Sequence, residues 1–191
     1  MATSVPLPIA KPISAAAKAG AVVAPDIRTA TAANIILISL TNAAAVEAVT
    51  TDLIAAGISG KLVVDLSTLL PDETETIAKR IVDAGADFVD CPVGGTVGPA
   101  LKGMLLGMAG GTAEAFARAK PALDHLCKRV ELLGPAGSGA RMKLAVNLPL
   151  ALYWQTLAEA LAMLDGSGIS PDVAISLIAD SSAGPAVLKN R

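Results

Sequence analysis

Ile35-Ile36-Leu37-Ile38 is an unbroken aliphatic run rich in β-branched residues. Such a run reads as a strand buried on both faces, the condition of strands in parallel sheets. A helical stretch follows from Asn42 to Ala56 and stops at Gly57, and Leu62-Val63-Val64-Asp65 is a second buried strand. Pro71 to Ala84 is amphipathic, with acids in its first turn and Lys79 and Arg80 near its end, as the helix dipole prefers. Phe88-Val89-Asp90 begins a third strand, Leu105 to Met108 a fourth, Thr112 to Cys127 another helix, and Val130 to Leu133 a last short strand. Strands alternating with helices of this length predict an α/β, doubly wound fold with a largely parallel sheet.

The pattern changes after Gly134. Ala140 to Asp165 reads as one long helix, Pro171 opens another that ends near Ala179, and no further strand signal appears. The expected organisation is therefore a sheet-bearing domain over residues 1–134 and the start of a helical domain over 135–191. Upstream, Pro6, Pro8 and Pro12 make residues 1–12 irregular. Ser14–Ala19 reads as a short helix and Ala21–Ala24 as a short strand.

Composition narrows the class. Of 191 residues, 53% are hydrophobic but only 2% are aromatic, so the core is aliphatic and lacks the stacking platforms that single-stranded nucleic acids need. A formal net charge of −2 without a Lys/Arg run argues against a polyanion partner. Cys91 and Cys127 make no disulfide framework, and the lone His125 cannot build a histidine-rich zinc site. Both cysteines and Trp154 read as packing, and His125 as a surface or capping group. No signal peptide is apparent, and the apolar stretch Leu144–Leu164 is broken by Asn147, Pro149, Gln155 and Glu159, so a cytoplasmic protein with no membrane span is expected.

Three segments could carry chemistry. Asp65-Leu66-Ser67-Thr68-Leu69-Leu70-Pro71 lies where a buried strand ends, the position at which open α/β sheets bind ligands; Thr68 there either caps the next helix or meets a cofactor. Asp90-Cys91-Pro92-Val93-Gly94-Gly95-Thr96 is a second strand-end loop, whose glycines either bare N–H groups for a carboxylate or serve a tight connection. Gly110-Gly111 and Gly57 read as turns. Lys143 and Asn147, at i and i+4, share one face of the long helix among apolar neighbours. That pair is either a site that polarises a substrate oxygen or a snorkelling lysine beside a helix-facing amide. Pro149 removes one i→i−4 bond just beyond it and predicts a kink.

Taken together these segments resemble the β-hydroxyacid dehydrogenase family, the group containing 3-hydroxyisobutyrate dehydrogenase, over roughly residues 13–191. DLSTLLP from Asp65 matches the family's D-x-S-T-x-x-P loop, DCPVGGT matches D-x-P-V-S-G-G with Gly94 where serine is frequent, and Gly137, Gly139, Lys143 and Asn147 match G-x-G-x-x-x-K-x-x-x-N. The resemblance implies a Rossmann-like sheet and a nicotinamide cofactor, NAD or NADP without distinction. It implies that Lys143 is catalytic and bonds the reacting oxygen, and that Gly94, Gly95 and Asn147 hold a small-molecule substrate. Thr68 would approach the cofactor, as would Leu40-Thr41, which stand where the family has Leu-Pro. A homodimer through the long helix is a further implication.

The same resemblance places a G-x-G-x-x-G strand-turn-helix unit before residue 13 and further helices after Arg191. Against the family pattern the chain therefore reads as truncated at both ends, with the Ile35 strand left at an open edge. The expectation is hydride transfer between nicotinamide and a small β-hydroxy acid or its oxo form, impaired in this chain alone. A non-catalytic remnant or dimerisation module, or one part of a split enzyme, is the alternative.

Overall fold

The structure, a computed structural model, describes residues 17–18, 20–22 and 24–189. The expected elements at residues 1–16 lie outside them, as does most of the Ser14–Ala19 helix. The chain divides between Lys143 and Leu144 into two compact units.

The first unit is built on a six-stranded sheet. Helix α1 (Ile27–Ala30), capped by the Asp26 side chain, precedes strand β1 (Ile35–Ile38). Helix α2 (Ala43–Ala56) starts at Asn42, whose side chain accepts the Ala45 N–H, and ends at Gly57 with φ of 91°, a conformation that glycine reaches without strain. Strand β2 (Leu62–Asp65) leads into helix α3 (Pro71–Asp83), where Pro71 stands in the first turn. The Glu73 side chain there takes the Leu70 N–H at 2.9 Å. Strands β3 (Asp87–Asp90), β4 (Val93–Gly94) and β5 (Leu105–Gly111), with the short helix α4 (Val97–Leu101) between β4 and β5, come next. Helix α5 (Ala113–Leu126), strand β6 (Cys127–Leu132) and helix α6, which begins at Ser138, complete the unit.

Strands β1, β2 and β3 run parallel and in step, with Ile38 opposite Asp65 and Asp65 opposite Asp90. Their carboxyl ends therefore lie side by side. The sheet then turns mixed: β5 runs antiparallel to β3 through only Val89–Gly111 and Asp90–Gly110, pairs antiparallel with β4, and carries β6 in parallel on the other side. One face of β1–β3 packs Ile36, Ile38, Val63 and Phe88 against α2 and α3, where Val46, Leu53, Ile77 and Ile81 are buried. The opposite face packs Leu62, Val64 and Val89 against Ala115, Ala119 and Leu123 of α5. Coverage on both sides explains why these strands read as continuous apolar runs and not as alternating ones.

Among the described residues β1 ends the strand order, and its Leu37 is 45% exposed. Two expectations are corrected. The described residues of Ala21–Ala24 form no strand; Val22 there is 95% exposed, with no apolar face to bury. Gly110 and Gly111 are not a turn but the end of β5, where the packing described below leaves no room for side chains.

The second unit, Leu144–Arg191, is helical where it is described. It holds the remainder of α6 to Ala162, then α7 (Pro171–Asp180), capped by the Ser170 hydroxyl, and α8 (Ala186–Lys189). Tyr153 and Trp154 meet edge to face with ring centres 5.8 Å apart. No helix among the described residues is long and apolar enough to cross a membrane.

Candidate active site

The parallel strands put three loops at one edge of the sheet. After β1, the Leu40 backbone N–H donates to the Ser67 hydroxyl at 2.9 Å. After β2, the Ser67 N–H donates to the buried Asp65 carboxylate at 2.9 Å. Asp65 thereby braces the loop that holds the Leu40–Thr41 turn. Burial raises its carboxyl above the ordinary range while the bonds from Ser67 pull it back. Thr68 beside it is exposed and does not cap α3, whose N-cap position is Leu70. Leu40, Thr41 and Thr68 are thus brought to adjoining loops, all three exposed.

The third loop follows β3. Cys91 and Pro92 are buried, and β4 continues the antiparallel pairing of β3 with β5 in the same register. The Met108 N–H donates to the Pro92 carbonyl, so by antiparallel alternation Gly94 opposite Leu106 belongs to a hydrogen-bonded pair. Gly95, one residue beyond the ladder, is exposed with φ of 132°. A Cβ there would stand 2.8 Å from Leu105 Cδ2, so this loop needs glycine for its dihedral and its packing. The Cys91 thiol is pushed up to about 12, by burial first and then by the neighbouring Cys127 and Asp90, which leaves it packed and unreactive at neutral pH.

Asp90 received no role from sequence reasoning and is the best-built group at this edge. It is 2% exposed, and its two carboxylate oxygens accept the N–H groups of Gly137 at 2.8 Å and Ala140 at 2.9 Å. Burial raises its carboxyl, and the bonds from Gly137 and Ala140 oppose the rise. The signal in the sequence was an aspartate ending a buried strand, where an apolar residue would be expected unless something required the charge. Asp65 carries the same signal on the neighbouring strand.

Helix α6 starts at this carboxylate and carries Lys143 one turn after Ala140. Lys143 is half-buried, burial lowers its amine below the ordinary lysine range, and among the described residues it forms no ion pair. Asn147 is also half-buried, four residues further along the same helix, and belongs to the second compact unit. No cluster of three or more potential metal ligands occurs among the described residues.

Thr41 and Thr68 thus present exposed hydroxyls on adjoining strand ends. Lys143, without a carboxylate partner among the described residues, rides on the helix tied to the end of β3. Hydroxyls and an amine are chemistry suited to a nicotinamide and a substrate oxygen. Residues 9–134 match the family described as the NAD binding domain of 6-phosphogluconate dehydrogenase. The chain is 35% identical to 3-hydroxyisobutyrate dehydrogenase of Pseudomonas aeruginosa over 134 residues, 70% of this chain and 45% of that protein. Among solved structures, 3-hydroxyisobutyrate dehydrogenase of Mycobacterium tuberculosis with L-serine superposes with a TM-score of 0.80 at 26% identity, covering 93% of this chain and 62% of that one. Psf3 in complex with NADP+ and 2-OPP gives 0.83 at 27%, covering 94% and 65%. The chain spans about half the length of the curated relatives it matches. With the strand-end loops, the lysine helix and these likenesses in agreement, the chain belongs to the β-hydroxyacid dehydrogenase family.

Proposed function

We propose that this chain forms part of an NAD(P)-dependent oxidoreductase site that moves a hydride between the cofactor and a small β-hydroxy acid or its oxo form. The observation that carries this reading is the half-buried, unpaired Lys143 on a helix tied to the carboxyl end of β3. A nicotinamide supplies the hydride chemistry, giving or accepting a hydride at its ring. Leu40, Thr41 and Thr68 line its approach. The Lys143 amine, once neutral, takes the proton of the substrate hydroxyl during oxidation; as an ammonium it returns that proton during reduction and stabilises negative charge developing on oxygen.

Gly95, beyond the β4–β5 ladder, supplies the backbone N–H best suited to a substrate carboxylate, with Gly94 fixing the loop. Asn147 is assigned a substrate contact on the strength of the family motif it matches. A cytoplasmic setting is part of this reading.

The test is oxidation of NADH and of NADPH by the purified chain against a panel of small β-oxo acids and semialdehydes, with cofactor binding measured separately by fluorescence titration. Turnover of a carboxylate-bearing substrate is expected, impaired in this chain alone. Cofactor binding with no dependence of turnover on the substrate carboxylate would refute the substrate assignment.

A homodimer through the long helix is proposed on its apolar surface, since Leu148 and Leu152 are 61% and 58% exposed. Light scattering on the chain is expected to give twice the 19.1 kDa of one copy. A mass of one copy across the micromolar range would refute the dimer.

A further inference from the structure

We propose that Asp90 is a positioning residue: it sets the register of helix α6 against the sheet and thereby fixes where the Lys143 amine stands. The inference rests on the hydride-transfer reading of Lys143. At the start of α6 the Ser138 N–H donates to the Pro135 carbonyl, while the preceding residue, Gly137, offers no side-chain acceptor for the rest of the turn. The acceptor comes from β3, 47 residues earlier in the chain for Gly137 and 50 for Ala140. The first turn of the helix is therefore held by the sheet edge, and Lys143 lies on the next turn.

The carboxylate has no freedom to swing. A Cβ on Gly110 would stand 2.5 Å from Asp90 Oδ1, and one on Gly139 would stand 2.7 Å from Oδ2. Glycine at both places lets β5 and α6 close onto the two oxygens and onto each other, a Cβ on Gly110 standing 3.0 Å from the Gly139 nitrogen. With Gly137 bonded to one oxygen and Ala140 to the other, a shift of α6 by a single residue would break both bonds. The site thus encodes one register.

Asparagine at position 90 keeps the size of the side chain but has only one carbonyl oxygen, and its amide would face one of the two N–H donors. In Asp90→Asn, the Lys143 amine, followed by NMR of reductively ¹³C-methylated lysines in the full chain, is expected to titrate closer to the ordinary lysine range. Where turnover is measurable, kcat is expected to fall by about 10²-fold, with cofactor affinity unchanged. A folded Asp90→Asn protein whose Lys143 titrates as before would overturn the proposal, and would show Asp90 to be a stabilising group only.

If that variant does not fold, the unsubstituted chain supplies the test. On acidification, the amide protons of Gly137 and Ala140 and the Lys143 side-chain signals are expected to move with the midpoint of the Asp90 carboxyl carbon. Lys143 signals indifferent to that midpoint would overturn it as well. Neither NMR measurement needs turnover, so failure of the hydride-transfer reading and failure of this one are seen separately.

Discussion

Gly139→Ala is expected to destabilise the chain by about 3 kcal/mol or more, at the upper end of what a single added methyl costs in a packed interior. The added Cβ would stand 2.2 Å from the Met108 carbonyl oxygen, 2.7 Å from Asp90 Oδ2 and 3.1 Å from the Asp90 carbonyl oxygen. Two of the three obstacles are backbone atoms of neighbouring strands β3 and β5, and these cannot yield without breaking the sheet where it is already paired through only two residues. Relief must come from lifting the start of α6, which removes the bonds to Asp90 and leaves a buried carboxylate without its donors. Gly98→Ala is the control: a Cβ there meets nothing within 4 Å and the backbone is not left-handed, so its effect is expected within about 0.5 kcal/mol. Urea unfolding of the two variants and the parent checks this. Equal midpoints for Gly139→Ala and the parent would mean that the sheet edge and helix are not closed onto each other as described.

Much of the fold was legible because burial on both faces leaves a mark in the chain. Ile35–Ile38 and Leu62–Asp65 are predicted and observed at the same residues, and the helix after Asn42 starts where its amide side chain can cap it. The reversal of β5 was not legible. A strand buried beside an antiparallel neighbour looks like one beside a parallel neighbour, and the reversal lies in the connection through α4, since β4 continues β3 against β5 in one register. Gly110 was read as a turn for the same reason: its need for glycine comes from Asp90 and Pro135, remote in sequence.

At the site, Leu40 and Thr41 were named from resemblance, whereas Thr68, Gly94 and Gly95 stood out as strand-end residues with a capping or turn role as the alternative; the strand register accounts for the Leu40, Thr41 and Thr68 loops adjoining one another. Asp90 and Asp65 were quoted within motifs but given nothing to do. Their partners are backbone N–H groups, which no side-chain pattern records. Thr68 could not be separated from a capping role until the helix was seen to start at Pro71, with Glu73 closing back on Leu70.

Lys143→Met is expected to lower kcat by about 10²- to 10⁴-fold, the range for losing a positioned acid–base group, with cofactor affinity changed little. Methionine keeps an apolar stem of similar length at this half-buried position but removes the proton. Lys143→Arg is the sharper comparison. It preserves the charge, yet a guanidinium does not give up its proton near neutral pH, so it is expected to restore substrate affinity more than turnover. The pH dependence carries the sign. Burial lowers the amine, so the neutral form needed for oxidation of a hydroxy acid accumulates at lower pH than for an ordinary lysine. Oxidation should therefore rise with pH to a plateau reached below the ordinary lysine range, and reduction should fall across the same interval. Stopped-flow rates in both directions for the parent, Lys143→Met and Lys143→Arg measure this. An arginine variant with the parent's kcat would show that charge alone, and not proton transfer, is what position 143 supplies.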